Sequence, residues 1–400
     1  MGRTVQPTSR AIRAANRARV VATLRHLGSA TRVEIMERTD LSRATVSSVI
    51  GELASRGLVS EQRTPARHGI GRPVAKVALN RAAGLAIGVD VGVRHVAVAV
   101  GDLSRSVLVE RWTPLPRGHR AKEGVRIVLS SIEDALAEAS VDPYQVVGAA
   151  ISIAAPVAPD SSRLLVPGVL PGWNGAELTA QVASRWGITV AMENDANLGA
   201  LGESVFQSPQ PPGQLLYVKV ASRIGLGIAL GSALYRGHDG YAGEFGHICV
   251  DPEGEPCWCG RRGCLELYAG GEGLLRAIGA RDHQVTSVAE LLERARRGDP
   301  GVLDVVASGA RALASALANV ALVLNPSSIV LGGDLAALGD LLVAPIRAEL
   351  STIPFGRPVE VTTSALGERA SLMGALALVL SESTRFEDLS RAAASSAGPT

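Results

Sequence analysis

The stretch L-A-I-G-V-D-V-G-V-R-H-V-A-V-A-V-G-D-L, residues 85–103, decides the fold. It reads as two apolar strands around a tight turn at Gly92, because Val, Ile, Leu and Ala run on either side of that glycine. A second stretch, L-L-Y-V-K-V-A-S-R-I-G-L-G-I-A-L-G, residues 215–231, repeats the plan around Arg223 and Gly225. Each hairpin opens about half of the chain beyond residue 80, which predicts an internally duplicated α/β fold. Its two lobes would span about 81–213 and 214–389. Helices are expected over Ala121–Ser140, Leu178–Trp186 and Pro300–Leu324. Buried strands are expected over Val146–Ala154 and in N-P-S-S-I-V-L-G-G, residues 325–333.

Upstream, the composition changes. Residues 1–80 hold fourteen Lys and Arg against five Asp and Glu, whereas the remainder holds twenty-six against thirty-three. A small basic module on an acidic body is the electrostatic footprint of nucleic-acid binding. Charge alone does not decide, since a solvated face has the same composition. The pattern adds the rest. Ile12, Val20, Val21, Leu24 and Leu27 make a helical stripe that Gly28 ends, and Ser29–Thr39 reads as a second helix. Ser42 is an N-cap for a third helix to about Arg56, with Val46, Val49, Ile50 and Leu53 inward. Arg43, Thr45, Ser47 and Ser48 lie on its other side, where a recognition helix would meet the major groove. Strands at Leu58–Gln62 and Val74–Leu79 flank a basic wing carrying Arg67, His68 and Arg72, suited to phosphate or minor groove. Residues 1–80 are therefore expected to be a winged helix-turn-helix.

Downstream, residues 247–266 read H-I-C-V-D-P-E-G-E-P-C-W-C-G-R-R-G-C-L-E. Cys257, Cys259 and Cys264 fall within eight residues, and the chain's fourth cysteine is Cys249. Three thiols on a Gly-rich turn, with an imidazole nearby, match a structural zinc site. A disulfide is disfavoured, because a C-x-C pair is too close for easy bridging. His247 is the expected fourth ligand, with Cys249 as the alternative.

The segment G-E-F-G-H followed by C-W-C-G-R-R-G-C-L-E resembles the zinc-and-sugar signature of the ROK family (repressors, uncharacterised frames and sugar kinases). The resemblance covers about residues 1–380. It implies an actin-like, two-lobed sugar-kinase fold with ligands in the cleft. It also implies a hexose site lined by Asn194, Asp195, Glu244, His247 and Glu266, with Asp195 the general base if the chain is a kinase. The phosphate loops depart from the family's pattern. Asp-x-Gly-Gly-Thr is here Asp90-Val91-Gly92-Val93-Arg94, and Gly-Thr-Gly-x-Gly is interrupted by Arg223. Backbone approach to a polyphosphate needs glycine, so ATP is not an expected cofactor and no enzymatic activity is expected. The expected function is a sugar-responsive repressor binding operator DNA as a homodimer or homotetramer. An ATP-dependent hexokinase carrying a DNA-binding module is the alternative.

Composition sets the remaining bounds. At 46% apolar residues there is ample material for a core, and at 3% aromatic residues the layers must pack through Ala, Gly and Val. No signal peptide and no membrane-spanning run are read, so a cytoplasmic protein without a membrane partner is expected. Residues 390–400, rich in Ala and Ser, are expected to be a disordered tail.

Overall fold

The computed structural model describes residues 9–55, 57–64, 74–80, 84–116, 118–159, 161–166, 170–207, 213–231, 233–280, 285–354 and 356–381. Its first unit runs α1 (Ser9–Leu27), β1 (Ser29–Thr31), α2 (Arg32–Thr39), α3 (Arg43–Ser55), β2 (Val59–Thr64) and β3 (Val74–Leu79). The strands form an antiparallel sheet in the order β1-β3-β2. α3 starts where Ser42 accepts a hydrogen bond from the Thr45 amide at 3.2 Å, and it buries Val46, Val49, Ile50 and Leu53. Residues 29–31, expected to be helical, form a strand instead. Thr31 is the N-cap of α2 and forms a reciprocal capping box with Glu34, so the helix cannot begin earlier. The expected wing residues Arg67, His68 and Arg72, and the expected tail, lie outside the described residues.

Two five-stranded sheets follow. The first is built from β4 (Leu85–Val91), β5 (His95–Asp102), β6 (Val107–Pro114), β7 (Val146–Ile153) and β8 (Val190–Asn194), with α4 (Ala121–Glu138), α5 (Gly175–Trp186) and α6 (Asp195–Phe206). The second uses β9 (Gln214–Val220), β10 (Ile224–Leu230), β11 (Ala233–Leu234), β12 (Ser328–Gly332) and β13 (Glu360–Thr363). Around it stand α7 (Glu266–Ala269), α8 (Gly271–Gly279), α9 (Val288–Arg296), α10 (Pro300–Leu324) and α11 (Asp340–Leu350), and α12 (Ala370–Ser381) closes the described chain. The strand orders are β6-β5-β4-β7-β8 and β11-β10-β9-β12-β13. In both sheets the opening hairpin is antiparallel and the two strands on its other side are parallel. The duplication inferred from the hairpins is thus present strand for strand. It gives Asp90 and Lys219 equivalent places, each one residue before the end of its sheet's first strand.

One element crosses between the halves. α12 follows the second sheet in sequence but packs on α6, β4, β7 and β5, so it belongs by contact with the first half. α6 and α12 approach through glycine: a Cβ at Gly374 would stand 1.8 Å from the Leu198 carbonyl oxygen. α10 is long and apolar enough to cross a membrane, contrary to the expectation of no such run. Val302, Val305, Val306, Leu313 and Leu317 instead place it in the core of the second half.

Candidate functional site

Residues E-N-D-A-N, 193–197, pass from β8 into α6, and the turn is set by hydrogen bonding. Asn194 is the N-cap: its Oδ1 accepts from the amides of Ala196 at 2.9 Å and Asn197 at 3.2 Å, and its Nδ2 donates to the Ala155 carbonyl at 3.3 Å. Glu193 is buried and held by the Asn197 side chain at 3.0 Å and by Arg236. Asp195 is buried at the first turn of α6, and its Oδ2 accepts from Lys219 Nζ at 2.6 Å. Lys219 comes from β9, so this bond joins the two halves. Burial alone would push the Lys219 ammonium down; Asp195 and Asp90 outweigh it and push it up.

Glu244 faces the same place from the second half. Burial, with the charges of Asp195 and Glu266 nearby, pushes its carboxyl up to about 7. Glu244 and Glu266 come from separate stretches and both lie against the His247 ring, and the charge of Asp195 bears on Glu244. The His247 ring links this group to the cysteine loop. Its Nε2 lies 4.0 Å from Glu244 Oε2, and its Nδ1 lies 3.6 Å from Cys257 Sγ and 3.8 Å from Glu266 Oε1. Glu266 Oε1 also accepts from Trp258 Nε1 at 2.5 Å.

His247, Cys257, Cys259 and Cys264 bring four ligand atoms within 4.8 Å of one another. Cys249 is not in that group, so it is His247 that the geometry groups with the three thiols. Tetrahedral thiolate ligands at the Zn–S length stand about 3.8 Å apart, and Cys259 Sγ and Cys264 Sγ are 3.6 Å apart. Burial and the hydrogen bonds of Cys259 and Cys257 push the Cys264 thiol up to about 12. Three thiols and one imidazole converging in this way are a donor set that fits a metal. Positive-φ conformations at Gly260 and Gly263 let the loop turn back on itself.

The hairpin turns are occupied by side chains. The ring of His95 folds over Gly92, where a Cβ would come within 2.4 Å of it, and Nε2 reaches Asp90 Oδ2 at 3.0 Å. Ser152 Oγ donates to Asp90 Oδ1 at 2.5 Å. Burial would raise the Asp90 carboxyl, but His95, Lys219 and Ser152 hold it below the usual carboxylate range. Arg94 pairs with Asp334 across the cleft at 3.5 Å. Arg223 stacks over Trp258 at 4.9 Å, and its Nη1 is buried without a hydrogen-bond partner.

Sequence reasoning missed Lys219 and His95. The first left a signal, as a lone lysine in an otherwise apolar strand; the second left none. In the N-terminal module Arg43, Ser47 and Ser48 are exposed and Thr45 is half-buried, its hydroxyl 2.9 Å from that of Ser42.

Comparison with known proteins accords with this geometry. The ROK family's sequence model matches residues 86–382. A xylose repressor of Bacillus spizizenii is 30% identical over 353 residues, covering 88% of this chain and 91% of that protein. A solved ROK family transcriptional regulator, described as a homologue of the E. coli MLC protein, has a TM-score of 0.79 at 23% identity, covering 95% of this chain and 99% of that one. A ROK family glucokinase from Streptomyces griseus, solved with glucose and AMPPNP, has a TM-score of 0.64 at 31% identity, covering 74% of this chain and 99% of that one. With the duplicated sheets, the cysteine loop and a family match across most of its length, the chain belongs to the ROK family.

Proposed function

We propose that the chain is a transcriptional repressor whose affinity for operator DNA changes when a small sugar binds in the cleft. The observation that carries this reading is the contrast within the cleft. Carboxylates from both halves converge around Lys219 and His247, while a side chain of the protein itself, His95, fills the first hairpin turn. The coverage of the relatives supports it. The glucokinase's likeness reaches 74% of this chain, whereas the solved regulator's reaches 95% and so takes in the N-terminal module.

On this reading Asn194, Asp195, Glu244, His247 and Glu266 hold the sugar's hydroxyls, and sugar bridging the halves favours a closed cleft. Closure shifts the equilibrium only as far as sugar binds the two states differently. Sequence reasoning named a hexose; a relative named for xylose adds pentoses to the candidates. His247, Cys257, Cys259 and Cys264 would hold one zinc ion, which fixes the loop that carries His247 and Glu266. Arg43, Thr45, Ser47 and Ser48 face the major groove, with Arg67 and Arg72 serving the wing. One module reads a half-site weakly, so a homodimer or homotetramer on a palindrome is expected.

The second reading, an ATP-dependent sugar kinase with a DNA-binding module, is favoured by Asp195 at the start of α6 and by the glucokinase likeness. Against it, Lys219 already engages one oxygen of the would-be base, and His95 covers the only glycine of the first turn. The test is calorimetric titration of D-xylose and D-glucose with and without an operator duplex selected from a random pool. Coupling of about 1–3 kcal/mol changes operator affinity about 5–150-fold, and by linkage changes sugar affinity equally. Equal sugar affinities in the two titrations would overturn the sensor reading. ATP-dependent phosphorylation that disappears in Asp195→Asn would establish the kinase.

A further inference from the structure

α12 touches both the candidate sugar site and the DNA-binding module. At its first turn the buried Ser371 hydroxyl donates to the main-chain carbonyl of Asp195 at 2.9 Å. At its last turn the Leu380 carbonyl accepts from Arg25 Nη2 of α1 at 2.8 Å, while Arg25 Nε donates to the Leu103 carbonyl at 2.9 Å. Helix rise puts about 14 Å between Ser371 and Leu380. Along that length the helix has little room to give. Gly374 and Gly202 put the backbones of α6 and α12 in direct contact, and a Cβ at Gly88 of β4 would meet the Leu372 carbonyl at 2.9 Å.

The receiving end is fastened through the Arg25 side chain. Val20, Val21 and Leu24 of α1 share one apolar core with Leu376, Leu378 and Leu380 of α12. Burial, with Arg105 alongside, pushes the Arg25 guanidinium down to about 9, which leaves it a cation at neutral pH. A cation on the last carbonyls of a helix meets the negative end of its dipole. A single side chain thereby fastens α1 both to the end of α12 and to the loop after β5.

We propose that α12 is a strut that carries the position of the Asp195 turn to α1, with Ser371 and Arg25 as the positioning residues at its two ends. The proposal rests on the sensor reading, because it names the element through which sugar would act on the DNA module. α6 begins at Asp195, so a closure that moves this turn moves Ser371 with it. α12 passes the displacement on as a rigid body, and Arg25 hands it to α1. Neither residue touches sugar or DNA in this scheme.

The test is a double-mutant cycle read first without sugar, so that it does not depend on the sensor reading. The full-length chain, Arg25→Met, Ser371→Ala and the double variant are titrated with an operator duplex selected from a random pool by the wild-type chain. A strut predicts that the double variant changes operator affinity much less than the product of the single effects, because either cut disconnects the same element. Effects that multiply within about twofold, the behaviour of independent distant sites, would overturn it. The titrations are repeated with D-xylose and D-glucose. Sugar dependence of wild-type binding reports on the sensor reading alone. Its reduction in both single variants, with sugar affinity of the DNA-free chains kept within about threefold, is the further expected result. Arg25→Lys guards against simple misfolding: it keeps the charge but not the two-pronged reach. It should melt like wild type while showing the Arg25→Met effect on coupling in part; full wild-type coupling in Arg25→Lys together with lost coupling in a destabilised Arg25→Met would reduce Arg25 to a packing role.

Discussion

The carboxylate group and the first hairpin turn hold their charges differently. At the end with Asp195, Glu244 and Glu266, carboxylates from separate stretches are kept close together, two of them beside a cysteine loop able to bind a cation. At the first hairpin turn the charged groups are partnered within the protein: Asp90 with His95 and Ser152, Arg94 with Asp334. A duplicated scaffold permits this divergence, since each turn belongs to its own sheet and can fill in without disturbing the other strands. A transferase needs both ends, whereas a sensor needs one.

The comparison breaks most visibly at the metal loop. Cys264→Ser should lower the metal content from about one zinc per chain to none, and chelation of the wild type should do the same. The stability lost should be about 4 kcal/mol at a thousandfold excess of metal over its Kd, read by thermal melting with and without chelator. Unchanged melting would mean that the carboxylate end is held by packing alone. Next in size is Glu266→Gln, which removes a charge but keeps the oxygen that Trp258 donates to. Sugar affinity should fall by about 1.5–3 kcal/mol, the worth of a hydrogen bond to a charged group, with metal content retained.

At the other end, His95→Gln should cost about 1.5 kcal/mol at pH 7, the low end for such a bond because His95 is partly exposed. Asp90 has a lowered folded pKa, so its contribution is complete above the unfolded value of about 3.9 and disappears as pH falls through the folded one. The wild type should therefore lose stability in acid more steeply than His95→Gln. Parallel acid curves would remove Asp90 and His95 as the stabilising pair. Smallest is Arg94→Ala: its ion pair is exposed, and less than about 1 kcal/mol of stability should change.

How much of this could be read in advance depends on the range of the interactions. The hairpins at Gly92 and Arg223, the Ser42 cap and the cysteine spacing are local, and each appears where its residues point. β1 was missed because three residues carry no periodicity, and only pairing with β3 makes them a strand. β6 and β11 went unread for a related reason: β6 alternates weakly and β11 is two residues long. In the candidate site, motif order named Asp195, Glu244 and Glu266 from three separate stretches. It could not give the Lys219 bond, which depends on how the two halves face each other. Nor could spacing tell which of His247 and Cys249, two residues apart, comes near the three thiols; the loop's return path brings His247 there. The packing of α12 on the first sheet is a contact between residues nearly three hundred positions apart, invisible to any window.

That contact also sets a schedule for the protein's own making. Ala86, Ala97 and Ala99 of the first sheet are covered by Leu372, Leu376 and their neighbours, and the N-terminal module shares the same core. Ribosomes add about 5–20 residues per second, so on the order of 15–60 s separates synthesis of β4 from synthesis of α12. During that interval the first sheet waits without its cover and Arg25 without the Leu380 carbonyl. A chain stopped before residue 370 would carry α1, α2 and α3 in full and still lack the carbonyl to which Arg25 donates. The N-terminal module is therefore fastened at Arg25 only in chains whose synthesis has already passed both sheets.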